Sequence, residues 1–175
     1  MIVEEKTPGQ VQQGAGPSGT GKGGDDLVQF VTCRIAHEEF ALDVLSVQEI
    51  NRMVEVTRVP KAPYFVEGVI NLRGRIIPVL DLRRRFGLSA VDRTDESRIM
   101  VVLVRHRMVG LIVDEVVEVL RIPKVMIEPP PSVGSTAGAE FTQGVGRIED
   151  RLLIVLDLNR LLLPHEQAAM EAATN

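Results

Sequence analysis

From residue 27 onward, short apolar runs alternate with clusters of turn-forming residues. Phe40, Leu42 and Val44 alternate with Ala41, Asp43 and Leu45, the period of a half-buried strand, and Val109, Leu111 and Val113 show the same stripe. FVTCRI (30–35) and IMVVLV (99–104) are rich in β-branched residues, too short for helices, and lead into tight connections at AHEE and RHRM. FVEGVI (65–70) and RIIPVL (75–80) flank NLRG, a hairpin-like turn in which Gly74 is available for a positive φ. At VLDLRRRFG the period changes. Asp81 is placed to cap a short helix, Leu82 and Phe86 share one face, and Gly87 suits the exit.

The chain repeats itself. Phe65, Gly68, Val69, Arg75, Val79, Leu80, Asp81, Leu82 and Arg84 recur, 76 positions on, as Phe141, Gly144, Val145, Arg151, Val155, Leu156, Asp157, Leu158 and Arg160. Asp157 is therefore a second helix cap. Further upstream, His37, Val44 and Glu49 meet His106, Val113 and Glu118 at a spacing of 69. The difference of seven falls in EPPPSVGSTAGAE, whose composition suits an inserted connection. Two copies of one unit thus occupy residues 27–93 and 97–163. About five short strands per copy predict a mainly all-β fold of two packed small barrels, with strand exchange between them possible. Residues 1–26 read as a flexible Gly-rich tail, and 164–175 as a C-terminal tail or short helix.

Composition narrows the chemistry. The 175 residues carry a formal charge of −4, and only 3% are aromatic. That balance argues against a nucleic-acid groove, which needs a basic face and stacking platforms. A single cysteine, Cys33, excludes a disulfide framework and suits a reducing compartment. No apolar run approaches the roughly 20 residues needed to cross a bilayer, and MIVEEKTPGQ lacks the pattern of a signal peptide. A soluble cytoplasmic protein is expected.

GPSGTGKG (16–23) approaches a phosphate-binding loop but has Gly23 where a hydroxyl should hold magnesium. No strand pattern precedes it, and Asp25 and Asp26 follow, so a low-complexity tail is the better reading. His37 and His106 fall at equivalent turns, and no cluster shows metal-ligand spacing. Cys33 lies inside an apolar strand as a core residue. Arg83, Arg84 and Arg85 spread around one helical turn as a solvated face, and Asp114, Glu115 and Glu118 read as the exposed side of a Val-rich segment. Neither catalysis, a cofactor nor a metal is expected. The copies differ most at the hairpin, where Asn71, Leu72, Arg73 and Gly74 become Arg147, Ile148, Glu149 and Asp150. Arg73 is then a guanidinium presented on a rigid β support, within reach of Glu49. An exposed pair of this kind contributes only ~0–1 kcal/mol, but it can fix orientation.

FVEGVINLRGRIIPVLDLRRRFGL strongly resembles the signature of CheW, the adaptor of bacterial chemotaxis arrays. FALDVLSVQEI, VGLIVDEVVEVLRI and EPPP…FTQGVGRIEDRLLIVLDLNRLL are similar to that family in the same order, over about residues 27–163. The resemblance implies two SH3-like β-barrels around a shared hydrophobic centre and no enzymatic activity. It implies two partners, the cytoplasmic tip of a chemoreceptor and the regulatory domain of the histidine kinase CheA, with CheW-like domains joining into rings. By motif, Val47, Glu49 and Arg73 match positions implicated in receptor binding or its support, while Asn71 and Gly74 hold the turn. A full kinase or a receiver-bearing adaptor would need domains for which this length leaves no room.

Overall fold

The computed structural model describes residues 26–130 and 138–174. The glycine-rich 16–23 motif and most of the EPPPSVGSTAGAE connection lie outside them. Eleven strands follow in order: β1 (Leu27–Ile35), β2 (Glu38–Asp43), β3 (Val47–Arg52), β4 (Val66–Leu72), β5 (Arg75–Asp81), β6 (Arg98–Val104), β7 (Arg107–Val113), β8 (Glu115–Pro123), β9 (Ile127–Glu128), β10 (Thr142–Ile148) and β11 (Arg151–Leu156). Among the described residues the α-helices are α1 (Leu82–Arg85), α2 (Leu158–Leu161) and α3 (Pro164–Thr174), with single 3-10 turns at Val44–Ser46, Lys124–Met126 and Ala139–Phe141.

The strands form two curled sheets, ordered β8-β1-β2-β11-β10-β9 and β3-β6-β7-β5-β4. The second is contiguous in sequence and is called the middle barrel; the first joins the two ends of the fold and is called the terminal barrel. Each takes a two-stranded hairpin from one half of the chain and the rest from the other, three strands in the middle barrel and four in the terminal one. The exchange is reciprocal and in register. In the middle barrel β5 pairs in parallel with β7, Val79 opposite Gly110. In the terminal barrel β11 pairs in parallel with β2, Val155 opposite Ala41. These two pairings are related by the same spacings of 76 and 69 found in the sequence.

Each sheet curls until its edges nearly meet, and glycine permits the closure. In the middle barrel Thr57 and Val69 exchange two backbone hydrogen bonds of 2.9 and 2.8 Å across the gap. Gly68, with φ +155°, lies under that crossing, and a Cβ there would sit 2.1 Å from the Thr57 carbonyl oxygen. Gly144 stands at the same place in the terminal barrel, where β9 pairs with β10 and a Cβ would meet Ile127 Cγ2 at 2.8 Å and Glu128 O at 2.9 Å.

Three apolar clusters fill the molecule. Ile70, Ile77, Val79, Ile99, Val101 and Ile112 pack inside the middle barrel, and Phe30, Ala41, Ile122, Leu153 and Val155 inside the terminal one. The largest cluster lies between the barrels and draws on both, including Cys33, Phe40, Phe65, Leu111, Phe141 and Met170. Strands lying between an interior and this shared core bury both faces, which is why β6 reads as a continuous apolar run rather than an alternation.

The α1 arginines are not a solvated face. Arg83 pairs with Asp114 at 2.6 Å, Arg84 with Glu67 at 2.8 Å, and Arg85 with Glu166 of α3 at 2.7 Å. Arg85, its side chain only 9% exposed, also donates to the Leu161 carbonyl at 2.9 Å and lies over the rings of Phe65 and Phe141, 4.1 and 4.9 Å from their centres. A helix of one turn cannot be stabilised by its own hydrogen bonds, so each arginine instead ties it to a different neighbour. The acidic stretch is likewise engaged rather than simply exposed. Asp114 also accepts from the Ala36 N–H, Glu115 pairs with Arg34, and Glu118 with Arg151.

Candidate interaction surface

β4 and β5 are joined by a two-residue turn in which Arg73 has φ 50° and Gly74 φ 83°. Two consecutive left-handed residues match the right-handed twist of the flanking strands. Asn71 fixes this turn, its Oδ1 accepting from the Gly74 N–H at 2.9 Å. From the turn the Arg73 side chain reaches back to β3. Its Nη1 and Nη2 both donate to Glu49 Oε2, at 2.9 and 2.8 Å. Glu49 is held in turn, because its Oε1 accepts from Asn51 Nδ2 at 2.6 Å. The Arg73 side chain is 73% exposed and Glu49 24%, so an accessible guanidinium is oriented by a largely shielded carboxylate. The pair spans β3 and the β4–β5 hairpin, which come from opposite edges of the sheet, and it borders a shallow groove with Val54 and Leu72.

Glu49, Asn71, Arg73 and Gly74 thus come together. Val47 does not join them. It lies on the other side of an irregularity in the β3–β6 pairing and packs, partly buried, against the core between the barrels. Asp81 and Asp157 are remote from this groove and cap α1 and α2, accepting from the Arg83 and Asn159 N–H groups at 2.9 and 3.0 Å. Asp81 is also buried, and Arg93 pairs with it at 2.8 Å. Asn51 is the member of the site not singled out from sequence. It shares a strand face with Glu49 two positions away, a period-2 signal that was there to be read.

The other hairpin presents a different surface. Glu149 adopts φ 54° at the β10–β11 turn and is exposed beside Asp150, while Glu118, at Glu49's place, pairs with Arg151 in the strand rather than with the tip. Cys33 is fully buried, and that burial, with Glu39 and Asp114 nearby, pushes its thiol well above the usual range. Among the described residues no group of three or more His, Cys, Asp or Glu is placed to hold a metal ion, and no helix is long and apolar enough to cross a membrane.

A double barrel that holds an oriented, accessible arginine on a hairpin tip has the build of a scaffold. Residues 29–164 match the model of the CheW-like domain, and the chain belongs to that family. It is 36% identical over 143 residues to the chemotaxis protein CheW of Klebsiella aerogenes, covering 82% of this chain and 86% of the relative. It is 35% identical over 141 residues to CheW of Bacillus subtilis, covering 81% and 88%. The crystal structure of the scaffolding protein TtCheW from Thermoanaerobacter tengcongensis superposes with a TM-score of 0.74 at 39% identity, covering 78% of this chain and 93% of that one. The two SH3-like barrels are those of this family, and the protein is a chemotaxis adaptor.

Proposed function

We propose that the protein couples the cytoplasmic tip of a chemoreceptor to the regulatory domain of the histidine kinase CheA, without catalysing a reaction itself. Residues 27–163 form the coupling unit, and the work is done in the cytoplasm at receptor arrays. Many moderate interfaces, held in register, become a durable assembly through effective concentration. Other CheW-like domains extend it into rings. The observation that carries this reading is the Asn51–Glu49–Arg73 chain of hydrogen bonds, because it costs an arginine at positive φ and yields an oriented, exposed donor fork. Arg73 is assigned to the receptor, with Glu49 and Asn71 supporting it. Val47 acts through the packing beneath β3. Asp81 and Asp157 keep their helices capped.

Isothermal titration tests the assignment, using a receptor-tip fragment and, separately, a CheA regulatory domain. The wild-type chain is expected to bind both. Arg73→Glu is expected to lose the receptor alone, by roughly tenfold or more in Kd, with an unchanged β circular-dichroism spectrum. Receptor binding unaffected by Arg73→Glu would move the receptor site elsewhere.

A further inference from the structure

Charge is divided unevenly between the barrels. Residues 44–113, which build the middle barrel, carry twelve Lys or Arg against seven Asp or Glu, whereas residues 26–43 and 114–163 carry six against twelve. The middle barrel is therefore the cationic end of a chain whose formal charge is −4. One of its cations stands apart. Arg75 opens β5, and its counterpart 76 positions on, Arg151, is neutralised twice, by Glu39 and by Glu118. In the middle barrel the place of Glu39 is held by Met108, and Glu49, at the place of Glu118, is taken by Arg73. Arg75 is exposed, and its side chain has no hydrogen bond or ion pair with any described residue. It lines a groove of about 830 Å³ beside the β6–β7 turn, together with the exposed Ile76 and Leu103. The one carboxylate of that lining, Glu171 of α3, pairs with Arg107 at 2.8 Å, so Arg75 is left as the surplus cation.

This groove continues the Arg73 surface. Arg73 and Arg75 stand on either side of Gly74 in one hairpin, and Gln48, in the groove wall, precedes Glu49 on β3. Next to Arg73, the exposed Arg52 and Glu55 offset each other in charge, and Glu49 is already held. What the combined surface lacks is a carboxylate for Arg75 and an apolar side chain over Ile76 and Leu103. The connection 131–137, PSVGSTA, has no acidic residue to offer. We propose that the partner segment bound at Arg73 runs on into this groove and is acidic there, one of its carboxylates meeting Arg75 beside an apolar residue that covers Ile76 and Leu103. With Arg73 assigned to the receptor, on which this rests, Arg75 becomes the second contact and an acidic side chain is what it recognises. A charge pair at the edge of an apolar contact sets specificity and association rate more than raw affinity.

A receptor-tip fragment is titrated calorimetrically into the full chain and into its Arg75→Gln and Arg75→Glu variants, at low and at high salt. Arg75→Gln is expected to raise the receptor Kd roughly fivefold and Arg75→Glu roughly tenfold or more. The urea unfolding midpoint should stay where it is, because the side chain is exposed. Added salt should weaken the wild-type chain more than Arg75→Gln. In the isotopically labelled chain the amides of Arg75, Ile76 and Leu103 should shift when the fragment is added. A fragment with a single acidic residue changed to lysine should restore binding to Arg75→Glu. Receptor binding that Arg73→Glu abolishes but neither Arg75 variant weakens overturns the proposal and leaves the Arg73 assignment standing. A wild-type chain that binds no receptor fragment overturns both. Absence of the three amide shifts, or failure of every charge-reversed fragment to rescue Arg75→Glu, overturns the recognition of an acidic segment. So do Arg75 and Ile76 shifts that grow with protein concentration alone, or that appear without the fragment when Glu4 and Glu5 are changed to lysine. The groove would then belong to a second copy or to the chain's own N-terminal segment.

Discussion

Arg85 shows how much one side chain can carry. Its guanidinium covers Phe65 and Phe141, which stand 76 positions apart at equivalent places in the two barrels, and it bonds the carbonyl of Leu161, the residue 76 positions beyond itself. It therefore sits at the point where the two halves of the fold meet, and Glu166 fastens α3 to the same place. Arg85→Ala would leave that carboxylate without its cation, and urea unfolding should show a loss of about 3 kcal/mol, the scale of a broken, largely buried pair. Arg85→Lys keeps the charge but not the planar fork and should recover part of the loss. Asp114 gives a pH signature. Burial alone would raise its carboxyl, but hydrogen bonds from Arg83 and the Ala36 N–H outweigh burial and hold it below its ordinary 3.8. A carboxyl depressed by folding adds stability that is complete above the unfolded pKa and disappears as pH falls through the folded one. Acid titration should thus reveal a loss of stability beginning near pH 4 and continuing below it. In Asp114→Asn that component of the profile should be missing, with the wild-type advantage at pH 7 absent as well.

At the scale of elements, barrel closure rests on glycines that no periodicity argument singles out. Gly68→Ala drives a methyl into a backbone carbonyl, which cannot rotate away, so thermal unfolding should report a loss of about 3 kcal/mol or more. Gly144→Ala meets a flexible Ile127 methyl as well as Glu128 O and should cost less. The strands themselves were legible because β-branched runs bounded by turn residues leave few alternatives, and NLRG announced its own turn. The α1 arginines were misread for a physical reason. Arg83 and Arg85 find their partners 31 and 81 residues away, and local helical geometry cannot report those. Arg73 stood out because its equivalent position carries Glu149, and Glu49 because it was close enough in the topology to answer it. Val47 could be matched by motif, but its burial against the central core depends on a sheet irregularity invisible in the letters.

For the whole molecule, the reciprocal exchange of hairpins makes two barrels into one cooperative unit. Neither half of the chain contains the strand neighbours it needs, and the largest apolar cluster belongs to both. Native-state hydrogen exchange should therefore give the same opening free energy for protected amides of β6 and β11, with one transition in denaturant. Separate plateaus would mean that the barrels open independently. The repeat was visible in sequence, but it does not say which halves pair, since unexchanged barrels would bury the same apolar positions.

The interleaving also imposes an order on synthesis. The middle barrel has all of its strands once residue 113 has left the ribosome, whereas β1 and β2 must wait for β8 and β11, the last ending at residue 156. At ~5–20 residues per second, the first hairpin made is held for seconds with both of its outer edges unsatisfied. The nascent chain must therefore keep β1 and β2 available, and it is the emergence of β11 that closes the fold.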